Sequence, residues 1–145
     1  MVNVEVLIDN TIAWAEERLG SKDYQLRCLG FIEEALEISN KIEIFGGDSA
    51  KESCDIYAAN ENTGIPLRGS FVFYDCAGIV EGELKDWGHC GLALDNGEVI
   101  HAWDVVRIDN YLEVENLIVS PGWSQPKYIG WAPIERILID YQKRD

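Results

Sequence analysis

Apolar residues in the first third of the chain recur at helical intervals. Ile8, Ile12, Ala15 and Leu19 are spaced 4, 3 and 4 apart, which puts them on one face, and Gly20 is a fitting stop. A second run from about Cys28 to Ile38 gathers Leu29, Ile32, Ala35 and Leu36 on one side, with Asn40 able to end it. Ser49 and Glu52 form the S-x-x-E pattern of a capping box, in which each residue satisfies an orphan amide of the first turn. This predicts a third helix running towards Ala59.

Gly64, Pro66 and Gly69 break the helical period. Phe71, Val72, Phe73 and Tyr74 then read as a buried strand, followed by a loop rich in glycine and charge at 75–86. HCGLALD and EVIHAWD flank Asn96-Gly97 and predict a hairpin. Val105 to Ile108 extends the sheet, and Pro121, Gly122 and Pro126 mark another loop. KYIGW (Lys127 to Trp131) reads as a last strand, and IERILI after Pro133 as a strand or short helix. Helices first and antiparallel strands after predict an α+β domain.

The length, 145 residues, fits a single domain over 1–145, and 47% apolar with 26% charged residues is a globular rather than a disordered composition. Twenty-six acids against twelve bases give a formal charge of −14, a surface that repels nucleic acid and anionic membrane. No apolar run approaches the roughly 18 residues of a membrane span. The first residues carry Glu5, Asp9, Glu16 and Glu17 and lack the basic start and apolar run of a signal peptide, so the expected location is cytoplasmic. Delivery outside the cell would then need a specialised route. Cys28, Cys54, Cys76 and Cys90 include no C-x-x-C pair, and without a signal they predict free thiols. With the two histidines they do not reproduce the ligand spacing of structural zinc sites, so neither a metal nor a cofactor is expected.

The only histidines, His89 and His101, lie on the two arms of the predicted hairpin. If Asn96-Gly97 were a two-residue turn, the histidines would fall on opposite faces. A three-residue loop of Asp95, Asn96 and Gly97, with Gly97 left-handed, pairs Leu94 with Glu98, Leu92 with Ile100 and Gly91 with His101. His89 and His101 then become diagonal neighbours on one face, roughly 7–8 Å apart between backbones. The apolar match of Leu92 with Ile100 favours this register, because a one-residue slip exchanges every side chain between faces. One face then reads His89, Gly91, Ala93, His101, Trp103, a site floor. The other reads Cys90, Leu92, Leu94, Ile100, Ala102, a core.

A histidine base needs a thiol and an orienting group. Cys28 opens the second helix, where free amides and the dipole favour thiolate and can stabilise an oxyanion. Cys54 sits inside a helix and Cys90 points to the core. Cys76, after a strand and with no helix N-terminus, is the rival.

Three segments give the chain a resemblance to the NlpC-type cysteine peptidases, a papain-like family acting on bacterial cell-wall peptides. They are RCLGFIEEAL (Arg27 to Leu36), GSFVFYD (Gly69 to Asp75) and WGHCGLALDNGEVIHA (Trp87 to Ala102). The third, a gly-his-x-gly strand with an asparagine-glycine turn, is the most specific. The resemblance spans about Ile12 to Trp131 and implies a papain-like fold, with N-terminal helices on a mainly antiparallel sheet. It implies Cys28 as nucleophile, His89 as base and His101 as the residue orienting His89, with Asp104 and Asp86 as lesser candidates for that last role. Tyr24 matches a supporting tyrosine, the amides of Cys28 and Leu29 serve the oxyanion, and Trp87, Trp103 and Arg27 border the substrate groove. In the reading as an inert binding module, Trp87, Trp103, Trp123 and Trp131 line a ligand groove. Cys76 resembles the nucleophile motif in letters, but it lies only thirteen residues before His89 and leaves no room for the intervening elements. Where the family commonly has Asp before and Ser after its cysteine, this chain has Arg27 and Leu29. The implied activity is hydrolysis of a peptide or isopeptide bond, with a small peptide or muropeptide as partner. A thioesterase, acyltransferase or deamidase of the same fold and an inert binding module are the alternatives.

Overall fold

The computed structural model describes residues 3–144. The Asn3 side chain accepts from the Val6 amide at 3.3 Å and opens helix α1 (Val4–Glu16), which buries Ile8, Thr11, Ile12 and Ala15. The predicted face holds as far as Ala15. The helix ends before Leu19, which is left 46% exposed, and the chain turns through Gly20 at φ +86°. Helix α2 (Cys28–Asn40) buries Leu29, Phe31, Ile32, Ala35 and Leu36, and ends at Lys41 in the left-handed region. After the short strand β1 (Ile42–Glu43), Ser49 caps α3 (Ala50–Ile56) by accepting from the Glu52 amide at 3.1 Å. This helix stops short of Ala59, because Ala58 takes a left-handed conformation and a 3₁₀ turn follows at Ala59–Glu61.

The strands are β2 (Phe71–Asp75), β3 (Ala77–Val80), β4 (Glu83–Asp86), β5 (His89–Ala93), β6 (Glu98–Ala102), β7 (Val106–Asn110), β8 (Lys127–Ala132) and β9 (Gln142–Lys143). A 3₁₀ turn at Glu113–Asn116 follows β7, and a short helix α4 (Ile134–Ile137) follows β8. Five strands form an antiparallel sheet in the order β7-β6-β5-β2-β8, while β1 pairs with β9 and β3 with β4. The stretch read as a loop at 75–86 is therefore mostly a hairpin, turned by Glu81 and Gly82, both at positive φ. KYIGW is not the last strand. It returns to pair beside β2, and β9 comes after it.

The predicted hairpin register is the one found. Leu92 pairs with Ile100 and Ala93 with Val99, and the Leu94 amide donates to Glu98 O at 2.8 Å. The turn differs in one detail, since Asn96 as well as Gly97 lies at positive φ.

The two sheet faces are both covered. Phe71, Phe73, Cys90, Leu92, Ile100 and Ala102 join Phe31, Ile32 and Leu36 of α2 in the larger core. On the opposite face, Val72, Tyr74, Ala93 and Val99 pack under Val114 and Leu117, with Trp103, Tyr111, Tyr128 and Trp131 around them. Much of the face expected to be a site floor is thus a second core, with His89 and Trp103 left at the edge of a cleft. The segment after β7 returns across it, and His101 is fully buried there.

Candidate active site

Cys28 is the first residue of α2 and His89 the first of β5. Both line one cleft of about 1130 Å³, together with Arg27, Cys76, Trp87, Trp103 and Trp123. Helix α2 packs directly on β5, so its N-terminus is fixed relative to the strand that carries His89.

No side chain caps α2: Arg27 stands at the N-cap without a capping hydrogen bond. The first-turn amides, which lack intrahelical partners, carry the positive end of the helix dipole at the turn that Cys28 opens. The Cys28 thiol is held well below its ordinary pKa. Hydrogen bonding from the Cys90 thiol is the largest cause, and the charge of His89 and a hydrogen bond with it add to the effect, against the opposing influence of burial. The other three thiols go the opposite way. Burial pushes Cys54 up to about 11 and Cys76 up to about 12, and raises Cys90 well above its usual range. Cys76 also lines the cleft, but its sulfur donates to Ser124 O at 3.4 Å and it stays a thiol.

His89 Nε2 lies 2.8 Å from His101 Nδ1, and His101 Nε2 lies 2.8 Å from Asp109 Oδ2. Arg107 closes the row, donating from Nε to Asp109 Oδ2 at 2.8 Å. Burial lowers the His101 pKa to about 4, so at neutral pH this ring carries one proton. Asp109 is held below the usual carboxylate range, first by the hydrogen bond from His101 and then by Arg107. Trp103 meets the His89 ring edge to face at 5.0 Å, and its own Nε1 donates to Ile118 O. Gly91 makes this packing feasible: a Cβ there would lie 2.9 Å from His101 Cβ.

The remaining expected residues divide. Leu29 borders the cleft while its side chain is buried in the core. Trp87 lines the cleft with Nε1 donating to Gly78 O, and the Trp123 ring rests on Gly78. Arg27 lines the cleft and pairs with Glu34 at 3.0 Å. Tyr24 departs from expectation. Its hydroxyl donates to Glu34 at 3.0 Å, its ring packs on Phe31, and it does not line the cleft. Asp86 is occupied by the amides of Cys76 and Gly88, and Asp104 by Val105 and Arg107, so neither touches a histidine. Trp131 belongs to the second core.

The carboxylate that meets His101 is Asp109, which the sequence reading missed by ending its strand at Ile108. The signal was present. His101 pairs with Arg107 and Val99 with Asp109, so strand alternation continued to residue 110 puts Asp109 on the histidine face. Among the described residues no group of three or more His, Cys, Asp or Glu side chains could hold a metal ion, and no helix is long and apolar enough to cross a membrane.

No protein-family model matches this chain, and no curated protein matches it. Solved structures do. The P60 domain of an antigen from M. avium paratuberculosis is similar over 84% of this chain and 91% of its own, at 14% identity and a TM-score of 0.50. RipD from Mycobacterium tuberculosis, described as a non-catalytic NlpC/p60 domain protein adapted to peptidoglycan binding, is similar over 88% and 97%, at 15% identity and 0.49. NlpC1 from Trichomonas vaginalis is similar over 87% of this chain and 45% of its own, at 17% identity and 0.48. At such identities the likeness to the P60 domain establishes the fold alone, an α+β fold shared with that domain.

Proposed function

We propose that this chain is a cysteine hydrolase that cleaves an amide bond in a small peptide through Cys28, His89 and His101. One observation carries the reading. Of four cysteines, only the one at an uncapped helix N-terminus in the cleft is driven towards thiolate, and it lies beside a histidine linked to a second histidine at 2.8 Å. His89 takes the thiol proton, and the sulfur adds to the substrate carbonyl. The oxygen that gains charge is met by the Cys28 amide at the helix start. The tetrahedral adduct collapses, the C–N bond breaks, and His89 returns its proton to the leaving amine. Water then attacks the thioester, with His89 as base, and releases the acid and the thiol.

The substrate class rests on the sequence resemblance: a cell-wall-derived peptide or muropeptide. Arg27 stands where that family commonly has Asp, which reverses the charge beside the nucleophile and favours an anionic group there. A second reading keeps the chemistry and exchanges the peptide for an ester or thioester with an apolar acyl group. It is favoured by Leu26 and Ile118, which line the same cleft and are 77% and 91% exposed.

The test is alkylation of the native protein with limiting iodoacetamide across pH, followed by peptide mapping, with His89→Ala alongside. Cys28 is expected to label first, to stay reactive well below an ordinary thiol pKa of about 8.5, and to slow in His89→Ala. Muropeptides and acyl thioesters, offered to the wild type and to Cys28→Ala, then separate the two substrate readings. If Cys28 labels no faster than Cys76, the hydrolase reading fails and a binding module of this fold takes its place.

A further inference from the structure

The row of groups behind His89 is longer than the triad needs, and its carboxylate, Asp109, fixes where every proton sits. An ionised carboxylate can only accept. Asp109 Oδ2, 2.8 Å from His101 Nε2, therefore requires a proton on that nitrogen. A neutral ring has one N–H, so His101 Nδ1 is left as an acceptor. His89 Nε2, 2.8 Å away, must then be the donor. That leaves His89 Nδ1 as the nitrogen free to take the Cys28 proton. If His101 carried its proton on Nδ1 instead, it would donate to His89 Nε2, and His89 would hold its proton on Nδ1. The base would then be protonated on the side facing the thiol.

Arg107 keeps Asp109 in the state this logic needs. It donates to both carboxylate oxygens, from Nε at 2.8 Å and from Nη2 at 3.3 Å, and so orients the carboxylate as well as holding its charge. Its Nη1 is tied to Asp104 at 3.2 Å, which anchors the guanidinium from the far side. The Asp109 side chain is 15% exposed and the His101 side chain fully buried, so water cannot readily substitute for the carboxylate.

We infer that Asp109, held by Arg107, is a positioning residue that sets the tautomer of both histidines and thereby aims His89 Nδ1 at Cys28. Its consequence for turnover rests on the hydrolase reading above, whereas the proton positions do not.

The two can be tested apart. In Cys28→Ala no thiolate is present, and the chain's two histidines give a sparse, assignable spectrum. Long-range ¹H–¹⁵N correlation of the imidazole rings near neutral pH is expected to find the His101 proton on Nε2 and the His89 proton on Nε2. A His101 proton on Nδ1 overturns the inference in this protein alone, with no further mutation and no turnover assay. Adding Asp109→Ala, or the size-matched Asp109→Leu, is expected to reduce the Nε2–H population of both rings. Unchanged tautomers in either folded variant also overturn it.

In the chain with Cys28 intact, the same Asp109 variants are expected to lower kcat by at least about 10-fold, the lower end of what removal of an outer hydrogen-bond partner of a functional histidine costs, and by no more than the roughly 10,000-fold lost when a triad's orienting carboxylate is removed. KM is expected to hold, and the pH profile of Cys28 alkylation to move upward. If the tautomers respond as expected but Cys28→Ala turns over as fast as wild type, the hydrolase reading fails while the positioning inference stands.

Discussion

Gly91 is the residue on which the histidine pair depends most directly. A methyl group there would lie 2.4 Å from Val99 Cγ1, 2.9 Å from His101 Cβ and 3.1 Å from the Ile100 carbonyl oxygen. None of these neighbours can move freely: Val99 and His101 are fully buried, and the carbonyl belongs to a strand paired on both sides. Gly91→Ala is expected to destabilise the protein by about 1–3 kcal/mol, as overpacking does. It should also push His101 away from His89 and Asp109. Urea unfolding reads the first effect, and the rate of Cys28 alkylation at pH 6 reads the second, which should fall further than the loss of folded protein explains. The cysteines make the same point about environment. Four identical side chains divide into one favoured as thiolate and three held as thiols, because only Cys28 receives a hydrogen bond from the Cys90 thiol and has the His89 ring beside it, while burial dominates at the other three.

At the scale of elements, the β3–β4 hairpin borders the cleft through Val80. Its side chains could not announce it: Ile79 and Leu84 are 51% and 68% exposed, so no alternation of buried and exposed positions marks the strands. What holds it is contact from outside. Trp87 Nε1 donates to Gly78 O at 3.0 Å, and the Trp123 ring lies so close that a Cβ on Gly78 would meet it at 2.0 Å. Gly78→Ala must displace Trp123, which lines the cleft. The expected outcome is a rise in KM with a smaller change in kcat, since Cys28 and His89 are carried by α2 and β5 rather than by this hairpin. Steady-state kinetics on whichever substrate the screen identifies checks this, and a matching loss in kcat alone would contradict it.

The whole molecule carries two titrations that oppose each other near neutrality. His101 has a pKa of about 4 in the folded protein and about 6.5 in the unfolded chain. Between these values the unfolded chain holds a proton that the folded protein lacks, so stability rises with pH across the window, by about 3 kcal/mol. Glu33, which lines the cleft one turn beyond Cys28, goes the other way. Burial, and then the charges of Glu37, Asp48 and Glu34, raise it to about 7. The folded protein therefore holds a proton that the unfolded chain has released, and stability falls as pH rises from about 4.5 to 7. The wild type is expected to vary little in that range. Glu33→Gln should expose a rise in unfolding free energy from pH 4 to 6.5, and His101→Gln a fall from 4.5 to 7. Urea unfolding at closely spaced pH values tests both, and two variants with the same slope would refute the assignment.

Much of this was legible in the chain alone, for local reasons. The faces of α1 and α2 follow from a period of 3.6, and the cap of α3 from Ser49 and Glu52. The β5–β6 register follows from a period of 2, which makes Leu92 opposite Ile100 and His101 opposite Gly91 the consistent choice. By that route the sequence determined that two histidines share a face and that one cysteine opens a helix. Tertiary structure decided the rest, because those features depend on elements distant in the chain. The return of 111–117 over the sheet covered much of the expected site floor with a second core and buried His101. The direction of Tyr24 was decided by Glu34 on the next helix, which draws its hydroxyl away from the cleft. Asp109 acquired its place only when β7 paired with β6, and Cys28 its acidity only when α2 docked beside Cys90 and His89. Periodicity fixes which way a side chain points from its own element. What it then meets depends on long-range packing, and the chemistry of this site is made by those meetings.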